Sequence, residues 1–245
     1  MDGMYIRVRD KQEIRQYVWQ RLDRAGVLNS GHVYDRIPDF KRSLNAATRV
    51  CDLDVWKQAS IIKSNPDKAQ RPLRQYALEQ GKTVYMAVPR LREERCFIAL
   101  DTSLGASVEV LATIEGAIKH GRLVAPEEMD AVDMVISGSV AVNREGIRIG
   151  KGGGFADLEY AMAVSVGVVN SETPVLTTVH DLQILDEVLP TTRHDVAIDY
   201  IVTEYEAIHC KRQVGRPDRI YWEDLEDAKI QEIPLLVKLR QELNN

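Results

Sequence analysis

The segment Gly150-Lys151-Gly152-Gly153-Gly154 restricts the fold more than any other. Four glycines in five positions would lose too much backbone freedom inside a helix or strand, so the segment has to be a turn. An apolar run ending near Val142 precedes it, and a helical pattern covers 157–168. The unit is therefore strand, glycine turn, helix. Backbone N–H groups there can approach a ligand without Cβ interference, and the start of a helix favours an anion. Arg148 and Lys151 add cationic side chains, and together these features make a phosphate cradle. A turn that only lets strand and helix pack closely is the other reading of the same residues. Spacing excludes two familiar loops. A dinucleotide fingerprint needs glycine at 155, which is Phe155. A P-loop needs four residues between its first glycine and Gly-Lys, followed by Ser or Thr. Here only three residues separate Gly146 from Gly150, and Gly152 follows Lys151.

Periodicity away from the turn supports the same architecture. Apolar residues at helical spacing predict helices over 10–25, 52–62 and 67–80, with Pro72 forcing a kink or a later start in the last. Short β-prone runs fall at 83–88, 133–138, 175–179 and 200–203. Strands alternating with helices predict an α/β fold, a layered and mainly parallel sheet flanked by helices. The expected division is one domain over 1–210 and a C-terminal extension over 211–245 packed on it.

Composition narrows the class. Hydrophobic residues at 44% and charged residues at 28% exclude a disordered or fibrous chain. No run of about 18 apolar residues is present, so no spanning helix is expected, and the polar opening residues lack the apolar core of a secretory leader. Cys51, Cys96 and Cys210 are odd in number and widely spaced, which fits a reducing, cytoplasmic setting. Residues 1–100 carry 19 Lys and Arg against 12 Asp and Glu, and the remainder 13 against 25. That asymmetry suits a phosphorylated ligand or nucleic acid; equally, the halves can neutralise each other across one fold. His180-Asp181 reads as a site pair or as a satisfied loop histidine. Asp195 and Glu187 read as solvated loop charges, and Trp19, Trp56 and Trp222 as core or interface rings.

The turn and its surroundings resemble the signature of the 5-formyltetrahydrofolate cyclo-ligase family, especially its methenyltetrahydrofolate synthetase domain-containing branch. The resemblance rests on Arg148-Ile149-Gly150-Lys151-Gly152, Ala156-Asp157-Leu158-Glu159-Tyr160-Ala161, Asn65-Pro66-Asp67-Lys68, Pro89-Arg90-Leu91-Arg92 and Glu172-Thr173-Pro174-Val175. It implies an ATP- and Mg²⁺-dependent ligase that closes 5-formyltetrahydrofolate, or a related pterin amide, to the 5,10-methenyl form. Lys11 and Arg15, one helical turn apart, would contact the nucleotide, as would Arg148, Gly150, Lys151, Gly152, Gly153, Gly154 and Phe155. Lys11, Arg148 and Lys151 would carry catalysis. Asp157 and Asp199 would hold the metal, and Asp67 and Phe155 would face the substrate. A nucleotide and a reduced folate or pterin are the expected partners; membrane and nucleic acid are not. Phe155-Ala156 stands where the family has Tyr-Tyr, Gly153 where many members have a loop lysine, and Asn143 where they have Asp. These departures admit the alternative of a diverged nucleotide-binding regulatory or interaction protein.

Overall fold

Successive residues of a strand face opposite sides of a sheet, and burial follows that alternation. In Thr83–Ala87, Val84 and Met86 join one core while Tyr85 and Ala87 join another. The computed structural model describes residues 9–29 and 31–243; the polar opening stretch (1–8) and the last two positions of the extension lie outside the described residues. The chain runs α1 (Lys11–Arg24), α2 (Ser43–Cys51), α3 (Asp54–Gln58), β1 (Ile61–Ser64), α4 (Arg71–Glu79), β2 (Thr83–Ala87), β3 (Phe97–Leu100), α5 (Val108–Leu111) and α6 (Ile114–His120). It continues through β4 (Arg122–Val124), β5 (Met134–Ile136), β6 (Ala141–Val142), β7 (Arg148–Ile149), α7 (Phe155–Ser165), β8 (Val175–Thr178), β9 (Tyr200–Val202), β10 (Ala207–His209), α8 (Asp227–Glu232) and α9 (Pro234–Leu243).

Eight strands form one sheet in the order β10-β9-β8-β5-β1-β2-β3-β4. The five central strands, β9 to β2, are parallel, and the flanking pairs are antiparallel. This is the layered, mainly parallel sheet expected from the sequence. Chain order reverses between β1 and β5: β2 lies on one side of β1, while β5, β8 and β9 extend to the other. In open parallel sheets such a reversal opens a crevice at the carboxyl ends of the strands.

Helices α2 to α6 cover one face through Val50, Trp56, Leu73, Leu78 and Ala117. Helix α7 covers the other together with Ile220, Ile230, Ile233, Leu235 and Leu236 from the C-terminal segment. A third cluster joins α1 to the β6–β7 hairpin, burying Ile14, Val18, Trp19 and Leu22 against Val140, Ala141, Ile147 and Ile149. Asp10 begins α1 with a capping box, its side chain accepting from the Gln12 and Glu13 N–H groups.

Several local readings change. The helix expected over 52–62 stops at Gln58, and Ile61 and Ile62 open the central strand. Asp133 ends that helix by accepting the N–H groups of Ser60 and Ile61 at 2.8 and 2.9 Å. The helix expected over 67–80 starts late, at Arg71, with Pro72 in its first turn, where a missing N–H costs nothing. Helix α2 and strand β3 had no reading in the sequence. No helix among the described residues is long and apolar enough to cross a membrane.

Candidate functional site

A cavity of ≈ 690 Å³ opens at the carboxyl ends of β1, β2 and β5. Each strand delivers a different wall: Asn65-Pro66-Asp67 follows β1, Val88-Pro89-Arg90 follows β2, and Gly138 follows β5. The glycine turn 150–154 closes one side, and α1 reaches in with Lys11 and Arg15. Packing of α1 on the β6–β7 hairpin explains the meeting, because the turn leaves directly from β7.

The turn is built for close approach. Gly152 takes φ 110° and Gly154 φ 68°, conformations that L side chains resist. Gly154 is the N-cap of α7 and supplies no side chain to its first-turn N–H groups. Asp157 is thus the third residue of α7, not the cap that an Asp after glycines suggests. Gly138 is needed for a different reason: a Cβ there would lie 2.5 Å from Asp67 Oδ2.

The cations are fixed by named partners. Arg15 Nε donates to the Gly150 carbonyl at 2.7 Å, and burial, partly opposed by Asp195 and Asp10, lowers its pKa. Arg148 is buried beneath the turn, donating to the Gly138 carbonyl and to Asp157 Oδ1, each at 2.7 Å. Burial pulls the Arg148 pKa down, but Asp157, with Asp195 and Asp67 beyond it, outweighs burial and the pKa rises. Arg148 Nε is buried without a partner. Lys11 Nζ meets both Asp195 oxygens at 2.7 and 2.5 Å. Lys151, 46% exposed, reaches Asp67 only at 3.4 Å. Around the cavity Lys11, Arg15, Arg90, Arg148 and Lys151 face Asp35, Asp67, Asp157, Glu159 and Asp195, five charges of each sign.

Two further groups shape the inner end. Arg74 is fully buried and donates to the carbonyls of Asn65, Asp67 and Ala112, which holds the 65–67 turn in place; burial pulls its pKa down to about 10. Lys63 and Glu159 form a buried ion pair at 2.5 Å, and removing one partner of such a pair costs about 3–5 kcal/mol. Arg90, at φ 59°, holds left-handed backbone at the rim, and the buried Leu91 follows at φ 53°; non-glycine strain of this kind is uncommon.

The structure therefore brings together Lys11, Arg15, Asp67, Arg148, Gly150, Lys151, Gly152, Gly153, Gly154, Phe155 and Asp157. It does not bring Asp199 to them, which corrects the expected pairing of Asp157 with Asp199. Asp199 precedes β9 at the amino edge of the sheet, where its side chain accepts from Arg212 Nε at 2.7 Å, from Val175 N at 2.8 Å and from Arg216. Two arginines and a backbone N–H satisfy this carboxylate. Asp195 corrects the other way: it is not a solvated loop charge but the partner of Lys11 at the cavity. Glu187 likewise pairs with Arg9. These contacts, with Arg42–Glu204, show basic and acidic halves neutralising each other. His180 caps the turn Asp181–Gln183, its Nδ1 accepting from Leu182 N at 3.1 Å; it is a loop residue with lowered pKa, caused by burial. Asn143 closes the β6–β7 turn by accepting from Ile147 N at 2.9 Å.

Sequence reasoning missed Asn65, Arg74, Glu159 and Asp195 as site residues. Only Glu159 left a local signal, an acid inside the apolar helix segment Leu158–Val164, where burial demands a partner.

The sequence model of the 5-formyltetrahydrofolate cyclo-ligase family matches residues 7–204. The human methenyltetrahydrofolate synthase domain-containing protein is 39% identical over 239 residues, covering 94% of this chain and 61% of that protein. The zebrafish (Danio rerio) protein of the same name is 36% identical, with 94% and 61% coverage. The chain thus spans about three fifths of the length of these curated relatives. The 5-formyltetrahydrofolate cyclo-ligase of Mycolicibacterium smegmatis is 29% identical over 157 residues, 52% of this chain and 76% of that one. Among solved structures, Aquifex aeolicus 5,10-methenyltetrahydrofolate synthetase shares the fold, with a TM-score of 0.53 at 18% identity over 88% of this chain and 99% of that one. With its model matched over most of the residues and the glycine turn set at the sheet's point of reversal, this chain belongs to the 5-formyltetrahydrofolate cyclo-ligase family.

Proposed function

We propose that the cavity binds a magnesium–ATP complex beside a reduced folate, and that the chain closes 5-formyltetrahydrofolate, or a related pterin amide, to its 5,10-methenyl form. The observation that carries this reading is the convergence of Arg15, Arg148 and Lys151 on one uncapped glycine turn. The residues fit the group. The turn has the backbone freedom a triphosphate needs, and Arg148 keeps one buried N–H without a partner. Equal numbers of cations and carboxylates favour a nucleotide that arrives with its own cation. Asp157, whose Oδ2 takes no donor among the described residues, would hold Mg²⁺ at the phosphates, a role for which one or two carboxylates suffice.

The nucleotide would supply a phosphoryl group to the formyl oxygen, making that oxygen a leaving group as N10 closes the ring; ADP and phosphate depart. The protein's part is positioning and charge stabilisation, without a protein nucleophile. Arg15 and Lys151 bind phosphate from the two sides of the turn. Lys11 joins them by exchanging Asp195 for a phosphate oxygen. Arg148, fixed between Gly138 and Asp157, orients the turn and the metal ligand together. Asp67, held by Arg74, faces the second substrate from the carboxyl end of β1.

One observation favours a second reading, nucleotide binding without turnover. Phe155 has no hydroxyl, and its ring lies 3.4 Å beneath Lys229 Nζ of the C-terminal segment. Methenyl absorbance on mixing the full chain with MgATP and 5-formyltetrahydrofolate separates the two. Turnover that requires both ligands supports the ligase. Saturable MgATP binding with no absorbance change at high protein concentration selects the second reading.

A further inference from the structure

The nucleotide contacts proposed above leave the Lys63–Glu159 pair unused. Lys63 sits on the central strand and is 1% exposed. Its ammonium meets Glu159 Oε2, and Asn65 Nδ2 donates to the same oxygen at 2.8 Å. Asn65 Oδ1 accepts from Ser137 Oγ and from Gly138 N, both at 3.1 Å, so the amide orientation follows from its own donors. Glu159 Oε1 takes no donor among the described residues. It is not sealed off either, since the fully buried, unpartnered side-chain polar atoms there are Arg49 Nε and Arg148 Nε. Glu159 borders the cavity, so Oε1 is the oxygen that opens onto it. Ile37, Pro66, Val88 and Pro89 supply apolar walls in the same space.

This arrangement selects a ligand chemistry. The Lys63 ammonium already balances the carboxylate charge, so the free oxygen calls for a neutral N–H donor rather than a cation. Apolar walls suit a flat ring. We propose that Glu159, aimed by Lys63 and Asn65, is the specificity-determining acceptor for a planar nitrogen heterocycle bearing N–H donors: the pterin ring of the second substrate, with its 2-amino group as donor. The inference rests on the cyclo-ligase reading and assigns that reading's second substrate its recognition point.

Calorimetric titration of the full chain provides the test. The ligands are MgATP, 5-formyltetrahydrofolate, a 2-amino-4-oxo-tetrahydropteridine fragment and its 2-desamino analogue. Glu159→Gln removes the charge, and Lys63→Met with Glu159→Gln removes the pair, so no buried ammonium is orphaned. Both variants are expected to bind the folate and the fragment about tenfold or more weakly, the loss of one charge-assisted hydrogen bond, with MgATP affinity within about twofold of wild type. Wild type is expected to prefer the fragment over its 2-desamino analogue by about tenfold, a readout that needs no variant to fold. Equal affinity for fragment and analogue, or undiminished folate affinity in a folded variant, overturns the inference while leaving the cyclo-ligase reading intact. A wild-type chain that binds neither folate nor fragment overturns both.

Discussion

At the carboxyl edge of the sheet Arg148 holds Asp157 at 2.7 Å; at the amino edge Arg212 holds Asp199 at the same distance, with Arg216 on the other oxygen. By residue type and pairing the two clusters look alike, yet their surroundings differ. Beside Asp157 run a glycine turn, an uncapped helix start and a cavity. Asp157 spends only Oδ1, on Arg148 and on the Val196 N–H, and its Oδ2 takes no donor among the described residues. At Asp199 both oxygens are taken, Oδ1 by Arg212 and Oδ2 by Arg216 and the Val175 N–H of β8, and the end of β10 places Cys210 N on the Asp199 carbonyl. Backbone geometry, not the choice of arginine and aspartate, separates a site from a clamp. The site has donors left over, whereas the clamp has spent them on the fold.

The strongest way to break this contrast lies at the clamp. Arg216→Met takes from Asp199 one of its two arginines and from the buried Ala197 and Thr173 carbonyls their donor, so stability should fall by about 3–5 kcal/mol in urea titration, at about 1–3 kcal/mol per unsatisfied group, with nucleotide affinity of the folded protein unchanged. A stable variant with weakened nucleotide binding would reverse the roles of the two edges. The next effect lies at the site. Lys151→Ala should weaken MgATP binding by about 1.5–3 kcal/mol, roughly ten- to 150-fold, without moving the melting temperature, because an exposed 3.4 Å pair contributes little to the fold. A smaller effect sharpens the account of Lys11. Asp195→Asn frees that ammonium and should tighten MgATP by about 1.4- to fivefold, from roughly 0.2–1 kcal/mol of competing ion pair. Weaker binding would show that Asp195 serves the ligand instead.

The last effect is one of pH, and it vanishes near neutrality. Burial, then neighbouring Asp199, pushes the Cys210 thiol up to about 12, and burial, then Glu159, does the same to Cys96. An acid whose pKa is raised on folding stabilises below its unfolded value and loses that contribution as pH rises. Stability should therefore be flat in these groups near neutrality and decline from about pH 9 toward 12, visible as a shift of the urea midpoint that Cys210→Ser reduces. Iodoacetamide at pH 8 should label Cys210 slowly in wild type and quickly in Arg216→Met. Fast labelling of both would mean that the clamp does not seal this edge.

Much of the fold was legible because its causes are local. Gly152 and Gly154 announce a turn by composition, and the strands holding Val84, Val135, Leu176 and Ile201 announce themselves by β-branched and apolar runs. The central strand was not, because buried Lys63 interrupts Ile61-Ile62-Lys63-Ser64 and only its partner on α7, 96 positions away, makes that lysine tolerable. Long-range pairing explains the other errors. Asp195 lies 184 positions from Lys11, and nothing around it marks the contact. Asp199 lies at a strand start, as a metal ligand could, and Arg216, 17 positions on, decides against it. Lys11 and Arg15 were placed at the turn by resemblance alone, since docking of α1 on the β6–β7 hairpin is tertiary and leaves no local pattern.

The central claim is that the turn at 150–154 and the cations of α1 grip one triphosphate. Titration calorimetry of MgATP into wild type and an Arg15→Ala/Lys151→Ala variant tests it most directly. The account predicts one saturable site per chain in wild type and its loss in the variant at the same protein stability. Absence of binding to wild type, or equal affinity in both proteins, would contradict it.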